Sequence, residues 1–140
     1  ETVTLTVNPD YAYTLGTTSS GSVNIADVSP VNVTVTATDS VASESGDPGS
    51  FTISRSGSKT VPLTVSYTLA GSATNGVDYT ALGGTLEIPA NASSASLSLV
   101  PLADTTVEAS ETAVLSLSAR STYRVGNPAS GGVSIANTGP

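Results

Sequence analysis

The chain has 140 residues, eleven acids against four bases for a formal net charge of -7, and neither cysteine nor histidine. Those counts exclude disulfides, thiolate and imidazole metal sites and every catalytic arrangement that needs Cys or His. Four bases are too few to hold nucleic acid or an anionic membrane surface.

With 38% hydrophobic and 11% charged residues, the composition is that of a folded chain long enough for one domain and part of another. No apolar run approaches the roughly twenty residues of a membrane-spanning helix, and we read no signal-peptide pattern in these residues. The chain opens mid-pattern on "ETVTLTV", which leads us to expect a piece of a longer protein.

Helix signals are missing, and apolar and small polar residues alternate at period two throughout, so the elements are predicted as strands with one buried face. Residues 1–30 hold two of them. From Val31 seven more follow: "NVTVTAT" buries Val33, Val35 and Ala37; "SFTISR" buries Phe51 and Ile53; "PLTVSYTLA" buries Leu63, Val65, Tyr67 and Leu69. Next come "TLEI" with Leu86 and Ile88, "SASLSLV" with Leu97 and Leu99, "TAVLSLS" with Ala113, Leu115 and Leu117, and "GVSIA" with Val133 and Ile135. Gly, Pro and Asn punctuate the gaps, as in "SGSKTVP", "TNGVDYT" and "VGNPASGG". The predicted fold is all-β, a seven-stranded antiparallel immunoglobulin-like β-sandwich preceded by a two-stranded fragment.

An internal repeat sets the domain boundaries. Residues Glu1 to Pro30 align without a gap onto Glu111 to Pro140, matching Leu5 with Leu115, Tyr13 with Tyr123, Gly16 with Gly126, Val23 with Val133 and Ile25 with Ile135. The period is about 110 residues, a normal domain size. Residues 1–30 are therefore expected to be the last two strands of a preceding repeat plus a linker, and 31–140 a complete module.

If the seven strands run up and down in turn, Asp39, Glu44, Asp47, Asp78, Asp104, Glu108 and Glu111 fall at one pole and Arg55, Lys59, Arg120 and Arg124 at the other. Only Glu87 sits apart. At about 4 Å and an effective dielectric of about 20, each pair of like charges costs roughly 4 kcal/mol. Carboxylates converging without a base therefore call for a cation, and with oxygen ligands alone that cation is Ca²⁺ rather than Mg²⁺. The competing explanation is a solvated acidic rim, in which Asp47 of "GDPG" and Asp78 of "NGVDY" serve as turn residues and Glu108 and Glu111 face water.

Three stretches, in order and spacing, resemble the Calx-β family, the calcium-binding sandwich repeat of sodium/calcium exchangers and large extracellular bacterial proteins. They are "SVASESGDPGSFTISRSG" with Glu44, Phe51 and Arg55; "VPLTVSYTLAGSATNGVDYTALGGTLEIPA" around Gly76-Val77-Asp78-Tyr79; and "SLSLVPLADTTVEASETAVLSL". The resemblance implies calcium held by Glu44, Asp78, Asp104 and Glu108, with Glu111 as a further or supporting carboxylate. This chain departs from the family pattern at Ala103 and Asn137, where the family often has acids; Asp27 keeps the second of these in the preceding copy. Fewer acidic ligands imply one or two ions bound weakly.

The function expected from these residues is a non-enzymatic, calcium-binding structural and adhesive repeat of a larger secreted or cell-surface bacterial protein, with calcium and neighbouring repeats as partners. The alternative is a carbohydrate- or protein-binding accessory module of an extracellular enzyme, for which Tyr11, Tyr13, Tyr79 and Tyr123 are the candidate sugar platforms in a chain without Trp. A homo-oligomer formed through the N-terminal strands stays open, as does a polysaccharide ligand.

Overall fold

The alternation in the sequence becomes an alternation of burial along the longer strands of the sandwich. A computed structural model of the chain describes residues 1–25 and 30–138. β1 (Thr2–Thr6) and β2 (Ser20–Asn24) pair antiparallel as a separate hairpin, and nine strands follow: β3 (Asn32–Asp39), β4 (Val41–Ser43), β5 (Gly49–Ser56), β6 (Leu63–Gly71), β7 (Thr85–Ile88), β8 (Ser94–Leu99), β9 (Glu111–Ser118), β10 (Arg124–Val125) and β11 (Ser130–Ala136). In β5 every second residue, Phe51, Ile53 and Arg55, points inward.

Two sheets pack face to face, one in the order β10-β3-β5-β8 and the other β4-β11-β9-β6-β7. Val33, Val35, Phe51, Ile53 and Leu99 of the first meet Val65, Ile88, Leu115, Val133 and Ile135 of the second in one core. Fully burying each such side chain contributes about 1.5–3 kcal/mol, which sets the inward face of every strand.

The seven strands read from the sequence are all present, and two short ones are added. β4 pairs parallel with β11, and β10 parallel with β3, so the pairing is not wholly antiparallel. At three and two residues, both are too short to show an alternation, and their partners are remote in sequence. β4 exists because β3 changes sheets. A register shift between Ala37 and Asp39 breaks the β3–β5 ladder, Asp39 accepts a hydrogen bond from the Val41 amide, and the Ser134 amide bonds the Ser40 carbonyl. Asp39 is thus the turn residue of this crossover, and Asp47, paired through its backbone with Ser43, is the turn residue of the next bend.

The far pole is tied by a buried cation. Arg55, 5% exposed, donates to the carbonyls of Ala92, Val61, Lys59 and Pro89, so carbonyl dipoles from two turns solvate its charge in place of a carboxylate. Tyr123 is also buried, donating to the Ser118 carbonyl and accepting from the Ser66 amide.

Against this core, the hairpin β1–β2 stands apart. Every residue of both strands is exposed, including Val3, Leu5 and Val23. The expected link to the complete module, with Asp27, lies outside the described residues, as does Pro140.

Candidate metal centre

Three loops and one strand end deliver acids to one pole, each held there by backbone contacts. β6 ends on Gly71, whose φ of +108° and position against Thr112 admit no side chain: a Cβ would lie 2.0 Å from the Thr112 carbonyl oxygen. The loop that follows is therefore pressed onto the start of β9, where the Ala73 amide bonds the Thr112 carbonyl and Ser72 Oγ accepts from the Thr112 amide. Within the loop, Asn75 closes a ring with Leu82 by donating to its carbonyl and accepting from its amide at 3.0 and 2.9 Å. Asp78 accepts from the Thr74 amide, and Tyr79 beneath it is fully buried.

The same loop is zipped to the stretch after β8. The Thr80 amide bonds the Val100 carbonyl at 2.8 Å and the Leu102 amide bonds the Asp78 carbonyl at 2.9 Å, which brings Asp78 beside the segment carrying Asp104 and Glu108. Glu111 opens β9 opposite Ile135 of β11. Glu44 follows β4 directly, its amide bonded to the Ala136 carbonyl at 3.1 Å and its carboxylate 3.4 Å from the Thr138 amide.

The result is a cluster. Asp78, Glu108 and Glu111 each present a carboxylate oxygen within 4.8 Å of the others. Glu44, only 9% exposed, lies close enough for its charge to act on both Glu108 and Glu111, and Asp104 acts on Glu108. Asp104, exposed like Glu108, is turned in part to its own loop, where Oδ1 accepts from the Thr106 amide at 2.6 Å. Asn137, at the position where the family pattern has an acid, is half-buried and donates to the Thr106 carbonyl at 3.4 Å.

Crowding shows in the acidities. Glu108 is held above the usual glutamate range by desolvation and by the charges of Asp104, Asp78 and Glu44. Glu111 is raised by desolvation, then by the charges of Asp78 and Glu108, by a hydrogen bond with Asp78 and by the charge of Glu44. Burial, the charge of Asp78 and the neighbouring Tyr67 raise the Tyr79 hydroxyl in the same direction. An all-oxygen, base-free group of this kind fits a hard divalent cation that tolerates irregular ligand geometry.

All five acids singled out from the sequence stand at this pole, three of them in direct reach of one another. What the sequence left unseen is the scaffold: Gly71, Ser72 and the Asn75–Leu82 ring. The only signal was the turn-like "TNG".

Two packed sheets with an acidic loop pole define the class of this molecule, an all-β sandwich. Its fold is that of the Calx CBD domains. The structure is similar to the apo-form Calx CBD1 domain with a TM-score of 0.63 and 17% identity, over 78% of this chain and 98% of that one. It is similar to the Calx CBD2 domain at 0.57 and 18%, over 76% and 86% of the two chains. The calcium binding domain CBD12 of CALX1.1 gives 0.60 and 18%, over 74% of this chain and 44% of that one. No protein-family model and no curated protein matches the sequence.

Proposed function

We infer that residues 31–140 form a calcium-binding, non-catalytic module, one of several in a larger secreted or cell-surface bacterial protein, where the ion stiffens the loop pole so that the module serves in adhesion or as a structural spacer. The observation that carries this reading is the approach of Asp78, Glu108 and Glu111 to within 4.8 Å, with Glu44 and Asp104 around them. Asp78, Glu108, Glu111 and Glu44 would hold the ion, with Asp104 completing the shell. Bound calcium supplies the positive charge that lets these carboxylates coexist ionised. One of the solved structures of similar fold, CBD12 of CALX1.1, is described as a calcium binding domain, which supports the choice of ion. Asn137 in place of an acid lowers the charge offered and argues for one or two ions bound weakly.

The sugar-binding alternative loses ground, because Tyr79 and Tyr123 are in the core. Tyr11 and Tyr13, both on the N-terminal segment, are the exposed aromatics that remain of its candidates.

Binding to the folded state alone stabilises by RT ln(1 + [Ca]/Kd), about 2.7 kcal/mol at a hundredfold excess over Kd. The melting temperature should rise with calcium and return with chelator. The Glu44→Ala, Asp78→Ala double variant should lose that response while retaining its β-sheet circular dichroism. A calcium-induced rise of the same size in the double variant would remove the assignment, and calorimetric titration would count the ions.

A further inference from the structure

The hairpin β1–β2 repeats the hairpin β9–β11 pair for pair. Thr2↔Asn24, Val3↔Val23, Thr4↔Ser22, Leu5↔Gly21 and Thr6↔Ser20 correspond one for one to Thr112↔Ser134, Ala113↔Val133, Val114↔Gly132, Leu115↔Gly131 and Ser116↔Ser130. The agreement continues beyond the ladder. The Val7 amide bonds the Ser19 carbonyl as Leu117 bonds Ala129, both at 2.8 Å, and the bridge Asp10↔Tyr13 matches Arg120↔Tyr123. The Tyr13 hydroxyl donates to the Asn8 carbonyl as that of Tyr123 donates to Ser118.

What differs is the covering. Leu5, Val23 and Ile25 are 71%, 67% and 47% exposed, whereas Leu115, Val133 and Ile135 are 0%, 0% and 2% exposed. Two glycines say what the cover is. A Cβ on Gly131 would lie 3.0 Å from the Ala37 amide nitrogen, and one on Gly126 3.0 Å from Thr34 Cγ2 and 3.3 Å from the Val33 carbonyl. At both positions β3 lies so near that a side chain would have to push it back by a few tenths of an ångström. Their counterparts Gly21 and Gly16 have nothing within 4 Å. The hairpin thus carries glycine at the two places where an approaching strand like β3 would need it, and carries apolar side chains where β6 and the opposite sheet would cover them.

We propose that the exposed face of residues 1–25 is a docking surface for strands of the same kind as residues 31–110, supplied by a preceding unit of the same polypeptide, whose sandwich this hairpin completes. The slot in the present module is already filled by its own β9 and β11, and exchange between two copies would expose one hairpin for each it buried. A preceding unit leaves no face uncovered. An isolated two-stranded hairpin is marginal in water, so such cover is also what makes the segment stable. The inference rests on register and glycine placement and is independent of whether calcium binds.

The test uses this chain's own strands. Residues 31–110 are fused directly ahead of the full chain, so that Ser110 precedes Glu1 as it precedes Glu111. The fused chain should form two units, protected together from a broad-specificity protease, with a urea unfolding signal per chain about twice that of the 140-residue protein. Gly21→Val should leave the 140-residue chain unchanged, where its side chain meets open space, and should lower the unfolding midpoint of only the first unit in the fused chain. Digestion of the added strands together with residues 1–25, leaving only the second unit, would overturn the proposal. So would a Gly21→Val change that leaves the fused chain's stability untouched.

Discussion

At the residue scale, the acids of the pole differ from ordinary surface carboxylates in the direction of their shifts. Glu108 and Glu111 bind protons more readily in the folded state than in the unfolded one, so in the absence of a cation folding takes up protons. Their contribution to stability is full below the ordinary glutamate pKa and is lost as pH rises through the raised value. In chelator, the melting temperature should therefore gain on acidification from neutrality toward about pH 5, and Glu111→Gln should gain less, a comparison that cancels the other carboxylates. In excess calcium the sign reverses, because protons then compete with the ion for the same oxygens. Thermal scans across pH, with and without calcium, check both slopes.

At the element scale, the site depends on how β6 ends. Gly71 permits the close approach of its loop to Thr112, and every later contact that carries Asp78 toward Glu111 starts there. Gly71→Ala combines a left-handed backbone with a clash against a carbonyl that cannot swing aside. The expected loss is on the order of 3 kcal/mol in urea unfolding, together with weaker calcium stabilisation of whatever remains folded. A variant that melts like the parent would show that the loop reaches the pole by other contacts. β4 works in the same way from the opposite side, since its parallel pairing with β11 is what carries Glu44 to the end of that strand.

At the scale of the whole molecule, the chain divides into a sandwich with its own core and a hairpin with none. Nothing buries the residues of β1 and β2, so removing residues 1–29 should leave the melting temperature of the sandwich within about 2 °C, a few tenths of a kcal/mol for a domain of this size. A larger fall would mean that the hairpin supports the sandwich in solution. The two poles also carry opposite character. The acids gather at one, while at the other Arg55 is solvated by carbonyls and Arg120 reaches the Thr64 carbonyl at 3.4 Å.

The sequence by itself determined the seven longer strands of the sandwich, their inward faces and the gathering of acids at one pole. Alternation at period two and the rule that consecutive strands reverse direction are local and topological, and Val33, Phe51 and Leu115 could be placed inward without coordinates. The likeness of residues 1–25 to 111–135 was legible there too, because a shared register leaves matching Tyr, Gly and apolar positions in both stretches. Only the tertiary structure decided which acids meet. Asp78 and Glu111 are joined through Gly71, Thr112 and the strand that follows, and Glu44 through a three-residue parallel pairing, contacts between residues far apart in the chain that no periodicity encodes. Distance between charges is set by how sheets and loops pack, and a carboxylate's chemistry depends on that distance rather than on its neighbours in sequence.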